Sequence, residues 1–171
     1  MKQVNLTEGS IPRGLMTVAA PIIAGNILQG LVEVADLFFV GRLSPEAIAG
    51  VALSITVIFV LMTVVIGLNG GTTAFVSRYY GKGKYEDAGR VLVQSLAIGL
   101  VFSIMISVVG ALWAEDMLLF LGADAVVAAE GSAYLTILSL GIAALVEFWI
   151  IATFFQSIGD SRTPLIIIAF I

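Results

Sequence analysis

A chain of 171 residues that is 60% hydrophobic and only 12% charged, with a mean hydropathy of +1.10, is too apolar for a soluble domain, which runs nearer half apolar and a quarter charged. It is read as an integral membrane protein. The chain has no cysteine and no histidine, which closes off disulfides, thiolate metal sites, cysteine nucleophiles and the side chain that ordinarily titrates near neutrality. The net charge of −4 gives no footing for nucleic-acid binding, and the residues suggest no enzyme chemistry.

The apolar residues come in helix-length blocks without strict alternation, so transmembrane helices are expected rather than barrel strands. The first block, about Gly14 to Val40, is far longer than a signal-peptide core and reads as a retained span. It contains Pro21 and two acids, Glu33 and Asp36. An unpaired charge in hydrocarbon costs several kcal/mol, so intramembrane carboxylates point by default to an ion or proton site. Three residues apart on a helix, the two acids share one face.

At Gly41 to Pro45 the chain turns. Ser44 precedes Pro45 and Glu46, the pattern of an N-cap, a proline at the first helical position and an acid in the first turn. From Ala47 to Ser77 no residue is charged, and 31 residues would make a helix of roughly 46 Å against a hydrocarbon core of about 30 Å. Such a span is expected to tilt, break or project, with Gly67, Asn69, Gly70 and Gly71 as its weak point or as a tight helix crossing. A loop is expected over Arg78 to Arg90. The third span, about Val91 to Ala114, ends at Trp113, an interfacial anchor. An acidic connection follows from Glu115 to Asp124, with a short interfacial turn over Asp116 to Leu121. The fourth span, about Val126 to Ile158, carries Glu147 beside Phe148 and Trp149. After Gly159–Asp160–Ser161–Arg162–Thr163–Pro164 a further apolar run reaches Ile171; at about 10 Å it is too short to cross, and the sequence reads as cut inside a fifth span. No repeat or linker divides residues 1–171, which are taken as a single transmembrane unit.

If the spans alternate, Lys2, Arg13, Arg78, Lys82, Lys84, Arg90 and Arg162 fall on one side and only Arg42 on the other. This positive-inside asymmetry implies a cytoplasmic N-terminus and puts the turn at Gly41 outside. Asp36, about 6 Å along the helix from Val40, then lies in the outer half of the membrane.

Leu6–Thr7–Glu8–Gly9–Ser10–Ile11–Pro12, Pro21–Ile22–Ile23 with Asn26 and Gln29, and most specifically Ala35–Asp36–Leu37–Phe38–Phe39–Val40–Gly41–Arg42–Leu43 together resemble the multidrug and toxic compound extrusion (MATE) transporters. Gly70–Gly71–Thr72–Thr73, Ser77–Arg78 to Gly83 and the Gly159 to Pro164 segment add to the resemblance. The resemblance implies an all-α polytopic fold, here four helices and the start of a fifth from the amino-terminal six-helix lobe, with remaining transporter helices expected as partners. It implies an antiporter of the plasma (bacterial or archaeal inner) membrane that exports cationic or amphipathic organic compounds in exchange for H+ or Na+, without cofactor. Asp36 matches the family's coupling acid, with Na+ possible there. Pro21 matches the proline at which the first helix is thought to bend, and Gln29, with Asn26, falls where polar side chains face the cavity. Glu33 departs from the pattern, standing where a neutral amide is expected; it either shares a proton with Asp36 or snorkels locally.

Glu147, with Phe148 and Trp149, offers a cation-binding wall to the substrate cavity, or else packing. Arg78, Lys82, Lys84 and Arg90 are read as topology signals and contacts to lipid headgroups. Two rival readings stand beside the antiporter. One is a flippase of related fold for a lipid-linked precursor, which would want a cationic cavity rather than these acids. The other is a truncated membrane protein that packs but transports nothing alone.

Overall fold

The computed structural model describes residues 11–170, so the matches at Leu6 to Ser10, together with Lys2, lie outside the described residues. Six helices follow one another: α1 (Ile11–Val40), α2 (Pro45–Gly81), α3 (Tyr85–Leu112), α4 (Ala114–Phe120), α5 (Ala125–Ser157) and α6 (Arg162–Phe170). Four of them, α1, α2, α3 and α5, are long and apolar enough to cross a membrane. The chain is an all-α polytopic membrane protein. With no water in hydrocarbon, each backbone amide must be satisfied within its own segment, and uninterrupted helices do this.

The helix starts follow their local chemistry. Ser44 adopts extended backbone and its hydroxyl accepts from Ala47 N at 3.0 Å, with Pro45 and Glu46 behind it. Asp124 caps α5, accepting from Val126 N and Val127 N at 3.0 and 2.9 Å. Three expectations are corrected. The helix does not break at Gly67 to Gly71; α2 is a single helix of 37 residues, about 55 Å, that projects to Gly81. The connection expected over Arg78 to Arg90 shrinks to residues 82–84, because both flanking helices run into it. Nor are Gly67, Gly70 and Gly71 a tight crossing, since a Cβ at any of them meets open space. Between α3 and α5, the expected interfacial turn is the two-turn helix α4, entered directly from Trp113.

The tight crossings lie elsewhere. Antiparallel α2 and α3 form a hairpin, and α5 packs parallel to α2 across both. Gly50 and Gly131 bring the α2 and α5 backbones together: a Cβ at Gly50 would lie 2.7 Å from Gly131 N, and one at Gly131 would lie 2.8 Å from Gly50 O. Ser54 Oγ uses that closeness to donate to Gly50 O at 2.7 Å or Gly131 O at 3.1 Å. Gly99 of α3 lies under Val146 and Ile150, and Gly110 against Ser139. Small residues at helix contacts are what membrane packing favours, since lipid is as apolar as Leu and close van der Waals contact must do the holding. Above them lies a core of Met62, Val65, Ile106, Ile142, Val146 and Ile150. Near the 41–44 turn a second cluster gathers Val57, Ala114, Leu118, Ala128 and Leu135, with Leu118 of α4 as its fully buried plug.

The α5–α6 corner explains the Gly159 to Pro164 segment physically. Gly159 takes φ 85°, a left-handed conformation that glycine adopts without strain. Asp160 N then donates back to Phe155 O at 2.9 Å. The Asp160 carboxylate turns forward, accepting from Arg162 N and Thr163 N at 3.1 Å each and from Thr163 Oγ1 at 2.7 Å. Burial works to raise the Asp160 pKa, but the Thr163 and Arg162 hydrogen bonds and the Arg162 charge outweigh it and hold the carboxyl below the ordinary Asp range. One residue thus closes α5 and opens α6.

Two outcomes are expected. Gly50→Ala and Gly131→Ala should each destabilise the protein by about 1–3 kcal/mol through overpacking, read as a lower thermal transition in detergent, whereas Gly89→Ala, where a Cβ meets nothing, should be neutral or mildly stabilising. Asp160→Ala should cost about 1 kcal/mol at neutral pH as a lost cap. Because the folded pKa is depressed, that stabilisation is present above the unfolded Asp pKa of about 3.9 and disappears as pH falls through the folded value. Thermal scans of parent and variant should therefore converge on acidification.

Candidate functional site

Helix α1 differs from the rest of the bundle. It packs along α6 and meets α2 only sparsely, and no Cα of α1 lies within 8 Å of one in α5. Its apolar residues are largely exposed, Leu31, Val34 and Phe39 among them. On this helix Asn26, Gln29, Glu33 and Asp36 recur at spacings of three, four and three, so they form one polar stripe about 15 Å long. All four are exposed. Gln29 Nε2 donates to Glu33 Oε1 at a long 3.4 Å. Pro21 is partly buried, and α1 continues through it as an α-helix despite the backbone hydrogen bond that proline forfeits.

Asp36 is reached from across the gap. Tyr134, on α5, donates its phenolic hydroxyl to Asp36 Oδ2 at 3.0 Å, and Glu33 lies within electrostatic reach of the same phenol. This contact joins residues 98 positions apart and links α1 to the α2–α3–α5 core where their backbones stand clear of each other. Among the described residues the ion pairs run from Arg90 to Glu86 and Asp87, and neither Glu33 nor Asp36 has a basic partner. Arg42, the nearby cation in sequence, lies over the Phe38 ring at 4.4 Å instead. Glu130, which the sequence reading passed over, is exposed one turn before Tyr134 on α5.

A carboxylate whose neighbour is a neutral donor, rather than Lys or Arg, keeps its capacity to take up a cation. A proton turns it from acceptor into donor, and its oxygens with a phenolic oxygen are hard ligands of the kind Na+ uses. Among the described residues no three acids converge as a dedicated metal cage. Tyr134 is the site residue that sequence reasoning missed. The available signal was a polar pair, Glu130 and Tyr134, one turn apart on one face of α5.

Glu147 is not part of this constellation. It follows Tyr134 by 13 residues, about 20 Å farther along α5 and on the far side of the helix. Its Oε1 is enclosed beside Gly99 of α3. Phe148 is partly buried and Trp149 is 45% exposed.

The chain belongs to the MatE family, whose sequence model matches residues 21–171. It is 30% identical over 177 aligned residues to a probable multidrug resistance protein, YpnP, of Bacillus subtilis, covering 99% of this chain and 38% of that relative. A protein of Shewanella oneidensis named as an FAD transporter is 25% identical, with 95% of this chain and 36% of the relative covered. Among solved structures, a MATE transporter in complex with MaD3S superposes with a TM-score of 0.86 at 24% identity, covering 99% of this chain and 38% of its own. An outward-facing MATE transporter of the MOP superfamily gives the same TM-score and identity over 98% and 37% of the two chains. This chain therefore spans less than two fifths of the length of these relatives.

If the Asp36–Tyr134 bond tethers α1, Tyr134→Phe should loosen it. Spin labels at the exposed positions Ile27 and Ile137 should then give a broader distance distribution than in the parent protein; an unchanged distribution would show that the bond does not hold the helix.

Proposed function

We propose that this chain works within a cation-coupled exporter of cationic or amphipathic organic compounds, with Asp36 as the coupling carboxylate. The observation that supports the reading best is the bridge from Tyr134 to Asp36. It makes an intramembrane acid, without a basic partner among the described residues, a fastening between a loosely packed helix and the bundle core. Binding H+ or Na+ at Asp36 changes what that carboxylate offers Tyr134, and so changes the fastening. Alternating access needs such a link between ion occupancy and helix position.

The substrate class follows from charge. Glu33 and Asp36 lie on the α1 stripe, with Asn26 and Gln29 continuing it inward, and Glu130 is exposed one turn before Tyr134 on α5. Carboxylates favour organic cations and oppose phosphate-bearing solutes, so a cationic cargo fits better than a dinucleotide such as that named for the Shewanella relative. The distribution of Lys and Arg supports placing the 41–44 turn outside, in an inner-membrane orientation with a cytoplasmic N-terminus. Asp36 would then meet its ion from the outer side, as import-coupled export requires.

The direct test is efflux of a cationic dye from proteoliposomes under imposed H+ or Na+ gradients. Asp36→Asn should abolish the response to the driving ion, while Glu33→Gln should retain it with altered pH dependence. Tyr134→Phe should weaken gradient-driven efflux about tenfold, since a hydrogen bond to a charged group contributes about 1.5–3 kcal/mol and 1.4 kcal/mol is a factor of ten. No response of the parent protein to either gradient would sink the antiporter reading.

A further inference from the structure

Inside the α2–α3–α5 core two acceptor oxygens, Asn69 Oδ1 and Glu147 Oε1, are enclosed and have no hydrogen-bond partner. They belong to one layer. Thr72 Oγ1 and Ser95 Oγ meet at 2.7 Å and set the register of α2 against α3. One turn farther in the same direction come Asn69 on α2 and Gly99 on α3, and a Cβ at Gly99 would lie 3.4 Å from Glu147 Oε1. The surroundings are apolar: Met62, Val65, Ile106, Val146 and Ile150, with Leu96 and Phe102 packed against them. Along α5 the layer lies about 15 Å from Ser157, well inside a membrane-spanning helix.

The neighbouring hydroxyls do not supply the missing donor. Thr72 Oγ1 donates to Leu68 O at 2.9 Å, so its contact with Ser95 uses the Ser95 proton, and both hydroxyl hydrogens are committed. No ionisable side chain occurs in α2 between Glu46 and Arg78, or in α3 between Arg90 and its end at Leu112. On α5 the only other such groups after Glu130 is passed are Tyr134, about 20 Å away, and none beyond Glu147 to Ser157. A carboxylate oxygen enclosed here has no counter-charge on α2, α3 or α5 at its level. Removing one requirement removes both: a proton on Glu147 makes it a donor and Asn69 Oδ1 its acceptor.

We infer that Glu147 is a proton-binding site of this protein, a carboxylic acid with Oε1 enclosed against the core and hydrogen-bonded to Asn69 Oδ1, separate from Asp36. Its ligand is a proton taken from water and returned to it, with no other co-reactant. The site goes beyond the antiporter reading and does not rest on it, because it is defined by its own layer of the core and is measured without transport.

The test is infrared difference spectroscopy of the purified protein in lipid nanodiscs. A protonated-carboxyl C=O stretch should be present at neutral pH, disappear in Glu147→Gln and survive in Asp36→Asn. Asn69→Leu, which removes the acceptor, should move that band to higher frequency. A Glu147→Gln spectrum that keeps the whole band would overturn the inference. So would the absence of any such band in the parent, the result expected if an ionised Glu147 accepts from a rotated Asn69 amide. Should Glu147→Gln fail to fold, Asn69→Leu decides alone: an unmoved band rejects the pairing.

Discussion

The contact of α2 and α5 through Gly50 and Gly131 is the constraint on which the rest of the arrangement depends. Neither position has room for a side chain, because the opposing backbone atoms occupy it. Closeness there lets Ser54 reach carbonyls on both helices and sets the depth at which α5 sits against the α2–α3 hairpin. Tyr134 is three residues beyond Gly131, so the phenol that meets Asp36 inherits its position from this crossing. A polar bond between two loosely associated helices is only as well defined as the rigid partner that presents it.

What could be read from the residues was what local chemistry decides. The four spans, the Ser44 cap before Pro45 and the shared face of Glu33 and Asp36 all depend on neighbours within a turn or two, and the structure has each of them. The failures have equally physical causes. Gly67 to Gly71 looked like a weak point by propensity, yet α2 carries that run unbroken, its membrane environment penalising any unsatisfied backbone group far more than glycine entropy does. The charged run from Arg78 to Arg90 looked like a loop because its residues are polar, but they cover the projecting ends of α2 and α3, where helix ends meet water. Tyr134 was out of reach because its partner is 98 residues away, a pairing that no periodicity encodes.

The three intramembrane acids first noticed thus separate by environment. Glu33 and Asp36 sit on an exposed stripe beside a gap, and one of them is met by a hydroxyl donor from another helix. Glu147 has an oxygen enclosed against the core, at the level of a second orphaned acceptor on α2. Residue type and depth in the span do not distinguish these situations; the side of the helix does. The same MatE fold accordingly holds one carboxylate on an exposed helical face and another with an oxygen that the neighbouring helices enclose.

The position of Asp36 along α1 has a mechanical side. The helix is joined to the bundle core at the short turn of residues 41–44, and Asp36 stands about 6 Å from Val40, whereas Pro21 stands about 28 Å from it. For a stiff segment pivoting at the turn, a sideways movement at Asp36 is multiplied about fivefold by the time it reaches Pro21. A shift of half an ångström, no more than the difference between a short and a long hydrogen bond, becomes one of roughly 2.5 Å at the other end, comparable to the shifts seen when packed helices slide in switching proteins. An ionisable group beside the fulcrum would make the helix an amplifier: were an ion to bind at Asp36, a very small displacement there would become a much larger one at the far end.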